Sequence, residues 1–367
     1  MFATRENPSP WSKAPRAVIR RLFLDRQASF WMNELAPLHA GDQCRARIVS
    51  IIDETPDTKT FVLQPNFRFR GHEAGQYVSV EVEVDGVRTS RCYSISSPPG
   101  AEHLTITVRR VPDGRVSSWL HEHSRPGDVL RLGPATGDFV LPAVRPEKLL
   151  FLSGGSGITP LMSMARTLAA QGNLHDVVWV HYARSQKDVI FGAELQQLAR
   201  EHVGLRLVLC LDDAPGAPRG FDEGVFSALV PDFAKRAAFL CGPGPLMERV
   251  EALFDTAGAS AQLKREAFVS AIPTARMVAP GEPVEVKLLR SERAVIARGA
   301  GSLLEQLERA GTRPPSGCRV GICHTCKCTK QSGTVENLLT GVISSAPDEE
   351  IQLCISKPHS DLALDLG

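Results

Sequence analysis

Between Gln43 and Leu141, apolar and polar residues alternate in short runs, CRARIVSII, KTFVLQP, QYVSVEVEV, HLTITVRR and DVLRLG, set apart by Gly, Pro and Asp. Successive side chains of a strand point to opposite faces, so such runs predict strands with one buried face. Their regular spacing predicts an antiparallel β-barrel or sandwich. One helix is predicted inside it, RVSSWLHEHS at 115–124.

From Glu147 to Phe268 the pattern changes. KLLFLS, DVVWVHYA, LRLVLCL and AAFLC are apolar on both faces. Each is followed by a stretch of helical periodicity: ITPLMSMARTLAA, FGAELQQLAREH, DEGVFSALV and PLMERVEALFDTAG. Strands without a polar face must be covered on both sides, which predicts an α/β domain with a doubly wound parallel sheet. AIPTARMVAPGEP, 271–283, holds three prolines and a glycine and reads as a linker. Beyond it VEVKLLR and RAVIARG form an expected hairpin, SLLEQLERAG a helix capped at Ser302, and IQLCIS a late strand. The expected organisation is an extension at 1–40, a β domain at 41–142, an α/β domain at 143–270, the linker, and a small α+β module at 284–367. A chain of 367 residues is too long for one core, in keeping with that division.

Charge changes the picture only at the amino terminus. The whole chain carries a formal net charge of +1, so nothing in the total points to nucleic acid. Residues 1–26, however, hold six basic side chains (Arg5, Lys13, Arg16, Arg20, Arg21, Arg26) against Glu6 and Asp25. With Val18, Ile19, Leu22, Phe23, Phe30 and Trp31 interleaved, the extension fits either packing on the neighbouring domain or contact with an anionic membrane surface. The longest uncharged stretch, between Lys148 and Arg166, is broken by three glycines and a proline, so no membrane span is expected. The start lacks the apolar run of a secretory signal, which makes the cytoplasm, a reducing compartment, the expected location, with the inner membrane face open to the extension. There the nine cysteines are expected to bind metal or serve redox chemistry rather than to form staples.

Cys318, Cys323 and Cys326 follow the spacing C-x4-C-x2-C, and Cys354 comes after 27 intervening residues. This is the spacing with which four thiolates hold a two-iron, two-sulfide cluster. Gly317 and Gly321 let the loop curl so that the thiolates converge. Cys328, two residues past Cys326, is not required. Zinc, with His324 as an extra ligand, and a disulfide are the competing readings.

With these residues the last module resembles the plant-type ferredoxin domain, a β-grasp fold. The two domains before it resemble the ferredoxin–NADP reductase family, over roughly 43–367. That resemblance implies an NAD(P)H:acceptor oxidoreductase with FAD, a [2Fe-2S] cluster and NADPH or NADH. In RCYS, 91–94, it implies that Arg91 pairs the flavin phosphates, that Tyr93 lies against the ring and that Ser94 hydrogen-bonds near its N5. A guanidinium fork suits a diphosphate, and an aromatic face with one hydroxyl suits a ring whose charge changes. In GRVSS, Gly114, Ser117 and Ser118 open a helix whose N-terminus suits an anion, favouring FAD over FMN; plain serine capping is the alternative. In SGGSGITP, Gly154, Gly155, Gly157 and Thr159 match the family's nicotinamide-nucleotide loop. Arg184, with Ser185 and Lys187, stands where an arginine accommodates the 2′-phosphate of NADPH. Cys241, Gly242 and Pro243 match the family's Cys-Gly-Pro beside the nicotinamide, giving Tyr93, Ser94 and Cys241 as catalytic candidates. Glu266 and Phe268 fall near the flavin edge. The implied route runs from NADPH through FAD and the cluster to a partner. That partner is expected to be a membrane fatty-acid desaturase or related di-iron oxygenase, or else a soluble Rieske or P450-type oxygenase. A zinc-stabilised or redox-sensing binding protein is the alternative from another class.

Overall fold

The computed structural model describes Leu38 and residues 43–84, 87–112, 114–216, 218–268, 281–317, 319, 321 and 325–366. The basic extension, most of the 271–283 linker, Cys318, Cys323 and His324 lie outside the described residues.

The first sheet comprises β1 (Arg45–Thr55), β2 (Thr58–Pro65), β3 (Tyr77–Val84), β4 (Val87–Ser94), β5 (Leu104–Arg109) and β6 (Val129–Leu132). These run antiparallel in the order β4-β3-β6-β1-β2-β5. The two edges are drawn together by an Ile95–Ile106 bridge and by the Ser96 N–H, which donates to the Thr105 carbonyl at 2.8 Å. The sheet thus closes into the expected barrel, with Ile48, Phe61, Val80 and Ile106 in its core. Helix α1 (Arg115–His123) adds Val116 and Leu120 to that core.

The second sheet is parallel, in the order β11-β10-β7-β8-β9, from β7 (Leu149–Gly154), β8 (Val177–Ala183), β9 (Leu205–Leu211), β10 (Ala237–Cys241) and β11 (Leu263–Glu266). Every residue of β7 is buried because helices cover both faces. α2 (Ile158–Ala170) and α3 (Gly192–Glu201) pack with Phe151, Trp179 and Phe239 on one face. α4 (Glu223–Leu229) and α5 (Gly244–Thr256) pack with Leu152, Val180 and Leu240 on the other. β11, with the sequence LKRE, is an edge strand whose polar side chains carry no apolar signal, so only its ladder with β10 reveals it.

The third unit contains β12 (Gly281–Leu288), β13 (Arg293–Gly299), α6 (Leu303–Arg309), β14 (Lys327–Ser332), β15 (Val335–Asn337), β16 (Ile343–Ser344), β17 (Glu349–Gln352), β18 (Ser356–Pro358) and β19 (Leu362–Leu364). Its main sheet runs β13-β12-β19-β14-β17, with β12 and β19 parallel, and α6 lies across it as in a β-grasp fold. The Ser302 cap is present as a full capping box with Glu305. The expected strand IQLCIS is interrupted: β17 stops at Gln352, and Leu353–Ile355 form a 3-10 turn before β18. The Leu353 N–H donates to the Cys326 carbonyl at 3.1 Å, so the turn carries Cys354 to the cysteine loop instead of along the sheet.

The barrel and the parallel-sheet unit are joined through α2. Ser163 Oγ donates to the Ser97 carbonyl and Arg166 Nη1 to the Ser96 carbonyl, both at 2.6 Å. Arg166 is itself held by a bidentate pair with Glu194. Among the described residues no helix is long and apolar enough to cross a membrane.

Candidate functional site

Strand β4 ends in RCYS because its ladder with β3 does: Arg91 pairs with Val80, Tyr93 with Val78 and Ser94 with Tyr77. Arg91, Tyr93 and Ser94 line a cavity of about 630 Å³ between the barrel and the parallel-sheet unit. Gly114 and Ser117 form part of its wall, and Ser156, Thr159, Glu266 and Phe268 close it from the other side. Ser117 Oγ accepts the Val111 N–H at 3.2 Å and so fixes the turn that opens α1. A Cβ on Gly114 would fall 2.5 Å from that oxygen, which requires glycine there. Among the described residues no side chain caps the start of α1. Ser118 is half-buried and does not line the cavity.

Two polar atoms at this cavity are left over. Ser94 Oγ and Glu266 Oε2 lie buried beside one another, and among the described residues neither has a hydrogen bond of good geometry. Burial pushes the Glu266 carboxyl up to about 8, with the nearby Ser94 hydroxyl acting in the opposite direction. Orphaned buried polar atoms at a cavity wall fit a planar group with a hydrogen-bonding edge, such as a flavin. Burial likewise raises the Tyr93 phenol, which stays neutral.

The second cavity, of about 420 Å³, lies over the tips of β7, β8 and β9. Gly154 and Gly155 form its floor, and Gly155 has φ +52, a left-handed conformation that suits glycine. A Cβ on Gly157 would stand 2.1 Å from the Cys241 carbonyl oxygen, so only glycine lets α2 start this close to β10. A Cβ on Gly154 would meet Pro243 Cδ and Leu246 Cδ2 at 2.8 Å. This glycine cradle fits a diphosphate at the start of α2. Arg109, at the end of β5, lines both cavities and places a cation between them. It is a site residue that sequence reasoning passed over, since an arginine at a strand end is ordinarily solvated.

Arg184 lines this second cavity, but its guanidinium is committed to Asp188 at 2.5 Å and lies 3.6 Å from Asp57. Ser185 Oγ donates to the same Asp188 carboxylate at 2.5 Å and holds it, together with Arg184, below the usual range. Lys187 is exposed and lines neither cavity. Cys241 is fully buried at the tip of β10; burial, then the neighbouring Glu266, keep its thiol protonated, and it lines neither cavity. Gly242 sets the turn after it, and Pro243 reaches the cavity wall.

In the cysteine loop, Arg319 (φ +63) and Gly321 (φ +84) both take left-handed conformations, which curl the backbone as the sequence suggests. The loop is pinned from two sides. Arg319 forms a bidentate pair with Glu308 of α6 at 2.7 and 2.8 Å, and Gln352 Nε2 donates to the Gly321 carbonyl at 3.0 Å. Cys326 and Cys354 come together: the Cys354 N–H points at Cys326 Sγ, 3.4 Å away. An amide aimed at a buried thiolate is the second-sphere bond that a metal-bound sulfur favours. Cys328 is turned into the module core beside Ile351, and burial raises its thiol to about 12. The flavin-side cavity and this loop touch, because Arg91 Nη1 donates to the Gly317 carbonyl at 2.9 Å.

Comparison with known proteins gives three domain matches: an oxidoreductase FAD-binding domain at 45–140, an oxidoreductase NAD-binding domain at 151–252 and a 2Fe-2S iron-sulfur cluster binding domain at 286–359. An NADPH oxidoreductase of Mycobacterium tuberculosis is 35% identical over 362 residues, covering 97% of this chain and 93% of the relative. A glycine betaine monooxygenase reductase subunit of Pseudomonas aeruginosa is 35% identical over 346 residues, covering 87% and 94%. Among solved structures, phthalate dioxygenase reductase superposes with a TM-score of 0.63 at 27% identity, covering 88% of this chain and 97% of that one.

Proposed function

The chain belongs to the oxidoreductases that join FAD-binding and NAD-binding domains to a 2Fe-2S domain, and from that membership we propose how its residues divide the work and what takes up its electrons. It is a reductase of the kind that passes electrons from a nicotinamide nucleotide to an oxygenase partner. A bound flavin supplies the conversion of a two-electron donor into single electrons, and the cluster carries them one at a time.

Arg91 and the start of α1 hold the flavin diphosphate. Tyr93 packs against the ring, while Ser94 and the protonated Glu266 offer hydrogen bonds to its edge. Gly154 and Gly155 seat the nucleotide diphosphate, Gly157 lets the start of α2 close on β10, and Pro243 walls the nicotinamide end; Thr159, matched in the sequence to the nucleotide loop, borders the flavin-side cavity instead. Cys241, sealed behind that wall, positions the turn instead of touching the ring. Cys318, Cys323, Cys326 and Cys354 hold the cluster, with the functional units at 41–142, 143–270 and 284–367. The single observation that carries this reading is the pair of shared arginines. Arg109 borders both cavities, and Arg91 borders one cavity and hydrogen-bonds the residue before Cys318. The three carriers then stand in line, within reach of one another.

NADPH is the proposed donor. Four arginines border the nucleotide cavity, and the relative aligned over 97% of the chain is named an NADPH oxidoreductase. An anaerobic titration of the holoprotein with each nucleotide tests the scheme. Bleaching of the flavin absorbance followed by a reduced-cluster resonance signal is expected, and a protein that bleaches without that signal would refute it.

The proposed acceptor is an oxygen-activating enzyme of the cytoplasm, such as a Rieske-type oxygenase. A membrane desaturase is the second reading, supported by the basic extension at residues 1–40. Reconstitution with purified acceptors of both kinds, using the full chain and a form lacking residues 1–40, separates them. Loss of turnover on truncation with the membrane enzyme alone favours the second.

A further inference from the structure

The cysteine loop is met from the flavin side at Gly317, whose carbonyl accepts Arg91. A different element meets it at Gly321. There a Cβ would fall 3.3 Å from Leu339 Cδ1, on the hairpin that joins β15 to β16. The same hairpin is tied to the turn that carries Cys354, because the Leu338 N–H donates to the Ile355 carbonyl at 2.7 Å. It therefore touches backbone next to ligand cysteines from both parts of the chain.

The hairpin is built stiff. The Asn337 N–H donates to the Val342 carbonyl at 2.8 Å, and the Asn337 carbonyl accepts the Gly341 N–H at 2.7 Å. Asn337 Oδ1 accepts the Leu339 and Thr340 N–H groups at 3.0 and 3.2 Å. Gly341 takes φ +76, the left-handed conformation that closes the turn. A turn already ordered in this way gives up little freedom when something binds to it.

This stiff turn nevertheless holds apolar side chains out to solvent. Val342 is 62% exposed, Ile343 58% and Leu339 37%. From 337 to 347 the sequence NLLTGVISSAP contains no charged residue. Glu336, at the margin, has its Oε2 3.0 Å from His359 Nε2. A contiguous apolar surface on a rigid, charge-free turn marks a face that another molecule covers. Electrons leave the chain for an acceptor protein, and they cross only where the acceptor comes close to the cysteine loop. The hairpin is the apolar surface at that loop.

We propose that Leu339, Val342 and Ile343 form the face on which the oxygenase acceptor docks, through an apolar patch of its own, and that electrons leave beside Gly321. This rests on the reading of the chain as the reductase of an oxygenase. One electron crosses the face in each encounter, from this chain to the oxidised metal centre of the acceptor, with no bond made or broken.

The test uses the full-length holoprotein as wild type, L339S, V342S and V342S/I343S. V203S, at a fully exposed valine of the parallel-sheet unit, is the control. The probe is the purified Rieske-type oxygenase of the reconstitution above. Calorimetry with both proteins oxidised reads the Kd without turnover. Each single patch substitution should weaken it about tenfold, the size of a lost apolar anchor, and the double variant more. Wild-type binding should carry a negative heat-capacity change and stay nearly level over about a tenfold rise in ionic strength. V203S should bind as the wild type does. Iron content and ferricyanide reduction should be the same in every variant.

If the wild type neither binds nor reduces the oxygenase, the acceptor reading fails and the proposal with it. If it does both, and the patch variants match it or its binding collapses with salt, the acceptor reading survives and this docking face is wrong. Sedimentation and limited proteolysis cover two other occupants. A wild-type dimer that V342S/I343S splits would give the patch to a second copy of the chain. Cleavage within residues 1–40 that quickens in the same variant would give it to the chain's own amino terminus. Either result overturns the proposal.

Discussion

Glu266 is held where an ionised carboxylate is costly. Its Oε2 is buried with no hydrogen-bond partner among the described residues, and its carboxyl is raised from 4.5 to about 8. The folded protein thus keeps a proton that the unfolded chain has already released, so the stability linked to this group is complete below about 4.5 and is lost as pH rises through about 8. E266Q removes that dependence. Relative to the wild type, its thermal midpoint should climb between those two values and level off above them; a difference that stays flat with pH would count against the assignment. The cysteines make a second prediction at this scale. C354S should lose the cluster's visible absorbance and iron content, because the 3-10 turn brings Cys354 to the cysteine loop, its N–H 3.4 Å from Cys326 Sγ. C328S should keep both, because that thiol belongs to the core. Equal iron loss in the two variants would put Cys328 among the ligands.

Among the elements, those with a strong period were legible in the sequence and those defined by long-range contacts were not. β7, β8 and β10 announce themselves by being apolar throughout. α6 announces itself by Ser302 and Glu305 three residues apart. The polar edge strand β11 and the 3-10 turn at Leu353–Ile355 carry no local signal, since the first is fixed by its ladder to β10 and the second by Cys326. The segment after β14 offers a test. Lys330, with its side chain fully buried, donates to the carbonyls of Gly333, Ser344 and Ala346 and pairs with Glu349 at 3.1 Å. It holds the turns between β14 and β17 in place. Removing one member of a buried ionic group costs on the order of 3 kcal/mol. K330M should therefore bleach the cluster at a lower urea concentration while flavin release keeps its midpoint. Joint movement of the two transitions would mean that the units unfold as one.

For the whole molecule, what matters is how the units are held against one another. Ser163 and Arg166 of α2 bind the carbonyls of Ser97 and Ser96, just beyond the end of the flavin-side strand. That contact sets the distance between the two cavities. R166A should slow flavin reduction by nucleotide in stopped flow by about tenfold, the sensitivity expected of misplaced reactants. Chemical reduction by dithionite should be unaffected, and an equal slowing of both would mean that the flavin site itself has been damaged. The sequence alone determined the three kinds of unit, the cluster spacing, the R-C-Y-S strand end and the glycine loop, because each depends on residues close together along the chain. Only the tertiary structure decided that Arg184 is neutralised by Asp57 and Asp188, that Arg109 lies between the cavities, and that Cys241 is sealed away. Those outcomes depend on charges and backbones brought together from distant segments, which no local pattern encodes.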